Sequence, residues 1–462
     1  MRINWHNPHL HRISIVQGPL KVFDTFKSVS SLLASYWLLM MANGLLSTLL
    51  AVRTDIESFS IFITGLVMSS YFVGLLLGAL YSAYLVIRVG HIRAFAVYAS
   101  VMSTASILHV LLVEPAVWMV VRALAGFCMA GMILITEAWL NERADNRVRG
   151  VLLATYMAIG YFGSGLGQFI LPLADPAKFT LFGLVSVLLS LALIPVLITR
   201  APSPRPVTPQ RVSPIEVYKI SPVATIGTVI SGMLASSLYG LGPLFARQIG
   251  LSLTETSTFM ACAILGGLVL QIPLGRVSDR FDRRKVLAVS VFATSAACVG
   301  VILSASVGNI WQQASGMVSS TWLFVTAAVY GSLAFTLYSQ CAAQANDVTP
   351  HDKLIQTAGG LLVAYGIGAI IGPLLGGFIM EHTGPRSLFV YLMVLSFSLG
   401  LYTLHRMRVR VPGTRKLKFI PKPEAMYSHE TLYNSVQNEI DRNLARAAGG
   451  RGPNHSRFDP RI

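Results

Sequence analysis

Gly275-Arg276-Val277-Ser278-Asp279-Arg280-Phe281-Asp282-Arg283-Arg284-Lys285 packs two carboxylates and five basic residues between two apolar runs, near 256–275 and 285–304. Each run is long enough to cross the hydrocarbon core of a bilayer, which takes about 20 residues of helix. The charged knot therefore reads as a short loop at a membrane surface. A loop of the same length occurs earlier, as Ala83-Tyr84-Leu85-Val86-Ile87-Arg88-Val89-Gly90-His91-Ile92-Arg93, between runs near 60–87 and 94–113. One landmark in the same place twice points to an internal duplication, and the duplication decides the fold.

Working outward from these loops, apolar runs lie near 29–51, 60–87, 94–113, 117–138, 150–173 and 179–199. Six more lie near 221–246, 256–275, 285–304, 319–341, 356–380 and 386–404. Between the sets, Ala201–Lys219 contains Pro202, Pro204, Pro206, Pro209 and Pro214, a composition that favours an extended tether over a helix. The expected organisation is a cytoplasmic segment 1–28, a six-helix bundle 29–200, a linker 201–220, a second bundle 221–405 and a basic tail 406–462. The tail is expected to be largely disordered, with one amphipathic helix around Glu430–Ala448.

The composition agrees. Of 462 residues, 53% are hydrophobic and only 12% charged, whereas soluble domains carry about twice that charged fraction. The formal charge of +16 would suggest nucleic acid in a soluble protein, but here the basic residues fall in alternate loops and at the termini. Arg88, Arg93, Arg143, Arg147, Arg149, Arg205, Arg211, Arg280 to Lys285 and the 406–422 segment share one side; Arg53, Lys178, Arg247 and Arg386 face the other. The positive-inside rule then places both termini and the linker in the cytoplasm, in a bacterial inner membrane. No removable signal peptide is expected, because the first apolar run is long and lacks an early small-residue cleavage site. Cys128, Cys262, Cys298 and Cys341 lie in apolar runs without metal or redox spacing and read as packing residues, so neither metal nor cofactor is expected.

A second landmark supports the duplication. Glu142 through Gly150 aligns with Asn346 through Leu354, and Gly163-Ser-Gly-Leu-Gly167 aligns with Gly368-Ala-Ile-Ile-Gly372. Two facing six-helix bundles, with a solute site between them near the midplane, are the arrangement such repeats build.

Gly275-x-x-x-Asp279-Arg280-x-x-Arg283-Arg284-Lys285 resembles the loop signature between helices eight and nine of the major facilitator superfamily. Arg122-x-x-x-Gly126, Glu142-x6-Arg149-Gly150 and Gly368-x-x-x-Gly372-Pro373-x-x-Gly376-Gly377 are similar to its other motifs, over about residues 29 to 405. Glu137-x-Trp139-Leu140-Asn141 further resembles the YcaD-like branch of bacterial permeases. The resemblance implies an all-α membrane protein of twelve transmembrane helices, and a secondary transporter of a small solute. The amino-half loop departs from the pattern, with Ile87 for the usual Asp, Ala83 for the leading Gly and His91 for a basic residue. Any charge latch at that loop is thus expected to rest on the carboxy half.

A cytoplasmic gate is assigned to Arg88, Arg93, Glu142, Arg149, Gly275, Asp279, Arg280, Arg283 and Arg284, where a carboxylate at a helix end can accept N–H bonds and pair with arginines. By the resemblance, the cluster at Asp279 favours the outward-open state; the simpler account is that these arginines anchor the topology. Arg122, a few residues into span four, is costly in a membrane unless it pairs or faces water, so it either lines the central cavity or snorkels to the surface. Glu137, about four turns further, is a candidate proton carrier or a structural ion-pair partner of Arg143 or Arg149. Asn43, Gln168, Tyr239, Gln271 and Gln340 are polar groups within spans that need partners there, either solute or a neighbouring helix; the resemblance places spans one, four, seven and ten around the cavity. Gly368, Gly372, Pro373 and Gly376 combine close approach with a missing backbone donor and are expected to kink span eleven. His109 is expected at the membrane interface.

No GxxxxGK[ST] loop and no HExxH motif occurs, so neither ATP hydrolysis nor zinc-dependent catalysis is expected, and the chain does not read as an enzyme. The expected activity is secondary active transport of a small organic solute by alternating access, coupled to protons. The few charges within the spans favour a neutral or amphipathic solute. The partners expected are that solute, protons and the lipid bilayer, with the chain as a monomer and no nucleic acid. A membrane-embedded solute sensor or scaffold using the basic tail is the alternative.

Overall fold

The computed structural model describes residues 13–143, 149–198, 213–315, 320–350 and 353–409. The helices are α1 (Ile13–Ile56), α2 (Ile61–Val89), α3 (His91–Leu111), α4 (Pro115–Arg143), α5 (Arg149–Gln168), α6 (Phe179–Ile198), α7 (Pro214–Ile220), α8 (Pro222–Gln248), α9 (Leu253–Arg280), α10 (Arg283–Ser315), α11 (Thr321–Ala334), α12 (Leu337–Val348), α13 (Leu354–Thr383) and α14 (Ser387–Val409). No strand occurs among the described residues. By length and composition eleven segments qualify as membrane spans, with α11 and α12 forming one of them. α5 is the twelfth long element, its apolar run diluted by the small and polar residues of Gly160-Tyr-Phe-Gly-Ser-Gly-Leu-Gly-Gln168. The linker at 201–212, the tail from 410 and the side chains of Arg143 and Arg149 lie outside the described residues.

The spans end where local chemistry stops them. Ser60 caps α2 through a bond from the Ile63 N–H. Ser252 and Glu255 form a reciprocal capping box at the start of α9. Between α2 and α3 the chain turns in a single residue, Gly90, at φ 85°, a conformation that favours glycine. Three boundaries depart from the expected ones. α1 begins at Ile13, well before the apolar run; a short helix, α7, occupies the end of the expected linker; and span ten is broken at Phe335–Thr336, where the Thr336 N–H bonds to the Leu333 carbonyl, a tightened turn.

Glycine seams make the duplication visible in three dimensions. A Cβ on Gly74 or Gly126 would run into the backbone of the facing helix, at Ala123 and Tyr71, so α2 and α4 touch backbone to backbone. Gly266 and Gly331 stand in the same relation to Ala328 and Ala263 across α9 and α11. Likewise Gly163 and Gly167 meet Trp37 and Met41 of α1, while Gly368 and Gly372 meet Val229 and Met233 of α8. The offsets are constant: 266 − 74 and 229 − 37 both give 192, and 331 − 126 and 368 − 163 both give 205. The loop repeat at 83 and 275 obeys the first offset. The second corrects the alignment of Glu142 by one residue, because 142 + 205 pairs it with Asp347 and not with Asn346.

The halves meet along α2 with α13 and α5 with α9. Toward the side opposite the basic loops the first seam is dense. The Phe62 N–H donates to a Glu381 carboxylate oxygen at 2.6 Å, Phe62 packs edge-on against Phe378, and a Cβ on Gly65 would meet Pro373 and Gly377. Deeper in, the Ser69 hydroxyl donates to the Ile370 carbonyl at 2.7 Å. Pro373 thus sits where α13 meets α2 and, at Gly240, α8.

Candidate functional site

Near mid-depth the two bundles enclose a cavity with about 730 Å³ of space between its walls, mouth included. Its lining follows helical stripes: Met40, Asn43, Gly44 and Ser47 on α1; Met68, Tyr71, Phe72 and Leu75 on α2; Arg122, Met129 and Ile133 on α4. Ser164 of α5, Ser236, Tyr239 and Gly240 of α8 and Tyr365 of α13 complete it. Span ten, expected among the walls, contributes none of these residues. It stands one layer back, where Phe335 stacks on Tyr239 with centroids 5.4 Å apart and on Tyr161 of the other half at 6.0 Å. This aromatic sandwich sits at the break between α11 and α12.

Arg122 is the cavity's charged group. It is 2% exposed, its guanidinium lies 4.4 Å from the Tyr71 ring centroid, and Nη2 reaches only the Met68 thioether at 3.9 Å. Nε and Nη1 are buried without a hydrogen-bond partner, and no carboxylate among the described residues pairs with it. Burial in the cavity wall, not snorkelling, is therefore what its geometry gives. Tyr71 is held in turn by its hydroxyl, which donates to Asn43 Oδ1 at 3.2 Å. Behind Arg122, His109 is fully buried, packed edge-on against Trp118, with Nδ1 2.6 Å from the Ala105 carbonyl. His109 lies in the last turn of α3, as expected of a residue near the end of its span, and α4 and the Trp118 ring cover it.

The other polar candidates separate by their partners. Gln168 accepts from the Thr48 hydroxyl at 2.6 Å and donates to the Gly44 and Ser164 carbonyls at 3.0 and 3.1 Å, tying α5 to α1. Gln271 donates to the Ser339 hydroxyl at 2.9 Å, between α9 and α12, and Gln340 donates to Thr336 Oγ1 at 3.1 Å, beside the helix break. None of the three lines the cavity. Glu137 is completely buried, accepts from the Tyr156 hydroxyl at 3.3 Å and lies within electrostatic range of Tyr338 in the opposite half.

At the basic surface, Arg283 bridges two carboxylates, Asp279 at 3.1 Å and Asp347 at 2.7 Å. Asp282 pairs with Arg284 at 3.3 Å; partial burial pushes the Asp282 carboxyl up, but the hydrogen bonds and charge of Arg284 outweigh it and hold it below the usual range. Arg88, Arg93, Arg280 and Glu142 are exposed, and Gly275 is buried in α9. The offsets give Asp279, Arg283 and Asp347 the counterparts Ile87, His91 and Glu142, so among the described residues the bridge exists in one half only.

Tyr71, Met68, Ser164, Ser236 and Tyr365 were not among the sequence candidates. The stripe spacing of Asn43 with Ser47 and of Ser236 with Tyr239 is the signal that finds such positions.

The sequence profile of the Major Facilitator Superfamily matches residues 32–314 and 224–440. The chain belongs to the major facilitator superfamily. It is 30% identical over 384 residues to the Uncharacterized MFS-type transporter YcaD of Escherichia fergusonii, covering 83% of this chain and 96% of that one. A YcaD of Escherichia coli is 29% identical over 373 residues, covering 80% and 94%. Among solved structures of the superfamily's fold, the nucleoside transporter NupG superposes with a TM-score of 0.66 at 13% identity, over 82% of this chain and 99% of that one. A POT family peptide transporter gives 0.65 at 12%, over 86% and 100%. This major facilitator chain is a multi-pass membrane protein of the transporter class, and its solute is not given by these likenesses.

Proposed function

We propose that the chain is a secondary active transporter that moves a small organic solute by alternating access, coupled to protons through Glu137, in a bacterial inner membrane with both termini in the cytoplasm. The observation that carries this reading is the midplane cavity between the two halves, walled by spans of both and containing one buried guanidinium. The seam of α2 with α13 closes the side opposite the basic loops, which corresponds to an inward-facing state if those loops are cytoplasmic. Opening toward the periplasm then requires the Glu381–Phe62 and Ser69–Ile370 contacts to break. Burial beside Tyr156 in its own half, within electrostatic reach of Tyr338 in the other, supports Glu137 as the coupling group. Moving the halves changes its surroundings, and with them its proton affinity. One solved neighbour is a D-xylose-proton symporter, which is consistent with proton coupling on this fold.

The test is flux in sealed proteoliposomes, with and without a pH gradient, for solutes that stabilise the purified protein in a thermal screen. Accumulation that follows the gradient is expected. Glu137→Gln should abolish gradient-driven accumulation while leaving exchange of labelled for unlabelled solute. Binding without any flux would overturn the transport reading, and gradient-driven accumulation that survives Glu137→Gln would overturn the role of that residue.

A further inference from the structure

We infer that the solute is an organic monocarboxylate, its charged group seated against Arg122 and its apolar body on the thioether and aromatic wall of the cavity. The inference rests on the reading of the cavity as the solute site and names the chemistry of that site. A buried guanidinium without an oxyanion is a costly arrangement, because its N–H groups give up water and gain nothing in return. Here Nε and Nη1 have no acceptor, Nη2 has only a weak sulfur one, and the Tyr71 face at 4.4 Å leaves the rim of the fork open. A planar carboxylate matches that rim, side-on or end-on.

The fold does not require the charge. By the offset of 205 that relates α4 to α11, the counterpart of Arg122 is Ala327, equally buried, and the counterpart of Tyr71, by 192, is Ala263. The pseudo-symmetric position is filled by a buried alanine, so the glycine-lined contact between these helices does not need an arginine there. One fixed positive charge in the wall selects a single negative one; a dianion would bring a second charge into the cavity with nothing to meet it. Met40, Met68, Met129, Phe72, Leu75 and Ile133 give the wall an apolar share beside the hydroxyls and amide of Ser47, Ser164, Ser236 and Asn43, which calls for an organic body larger than an inorganic anion. The sparse span charge pointed to a neutral or amphipathic solute, and a monocarboxylate on an apolar body is the amphipathic case that the placement of one arginine favours.

The experiment uses the purified full chain and a panel of monocarboxylates, from acetate to octanoate and phenylacetate, each beside its neutral amide, with sodium chloride and sodium phosphate as inorganic controls. The larger carboxylates are expected to raise the melting temperature in proportion to concentration, while the amides and inorganic anions do not. Arg122→Gln should weaken carboxylate binding about ten- to hundredfold, with Arg122→Lys intermediate. Equal shifts from acid and amide, no shift from any carboxylate, or a shift that survives Arg122→Gln would overturn the inference. The comparison of acid with amide on the native protein decides the matter even if the variants fold poorly. Carboxylate binding without flux in sealed vesicles would sink the transport reading and leave this one standing. Transport of a neutral solute insensitive to Arg122→Gln would do the reverse.

Discussion

Gln168 is a buried amide with three hydrogen bonds, two of which fasten α5 to α1 beneath the cavity. Gln168→Leu should cost about 1–3 kcal/mol through the hydroxyl and carbonyls it leaves behind, read as a lower melting temperature, with carboxylate affinity little changed. A large loss of affinity at unchanged stability would show that the side chain serves the solute instead. The sequence marked Gln168 and Arg122 alike as polar groups needing partners, and that was as far as it reached. Polarity inside a span says that a partner exists; only the fold says whether it is a facing carbonyl, as for Gln168, or empty space, as for Arg122. Tyr71 was not marked although Tyr239 was, because the sequence does not distinguish a span tyrosine that faces the cavity from one that packs between helices.

The helix pairs α2 with α4 and α9 with α11 owe their contact to reciprocal glycines, so equivalent substitutions should fail alike. Gly74→Ala and Gly266→Ala each force a methyl into a facing backbone, with an expected cost of about 1–3 kcal/mol apiece, whereas Gly90→Ala meets open space and pays only for its positive φ, about 1 kcal/mol. Comparing the melting temperatures of the three variants checks this, and a harmless Gly74→Ala would mean that the α2–α4 seam can spread. The repeat that sets these pairs was legible, since charged loops and glycine spacing survive in the sequence. The break at Phe335–Thr336 was not. It lies within a run of apolar residues, and what accompanies it is the stacking of Phe335 between Tyr239 and Tyr161, a contact among three distant spans.

For the molecule as a whole, twelve hydrophobic segments in two related sets were readable from hydropathy and repetition, because both are carried by many residues at once. The closure of one face was not, since it turns on single contacts such as the Phe62 N–H with Glu381. That carboxylate of one half caps the first turn of α2 in the other, a placement worth about 0.3–1 kcal/mol. Glu381→Gln should therefore shift the balance between the two access states by about two- to fivefold toward opening of this side, seen as longer distances between spin labels on α2 and α13; unchanged distributions would remove Glu381 from the latch. Arg122 carries a further consequence. A cation buried within a membrane span without a carboxylate partner lies within the transmembrane field, worth about 2.3 kcal/mol per charge for each 100 mV crossed in full. When access swings from one face to the other, the share of the voltage felt at that charge changes. The empty protein is then a small capacitor that voltage biases toward one orientation, and a bound monoanion, by neutralising the site, switches that bias off.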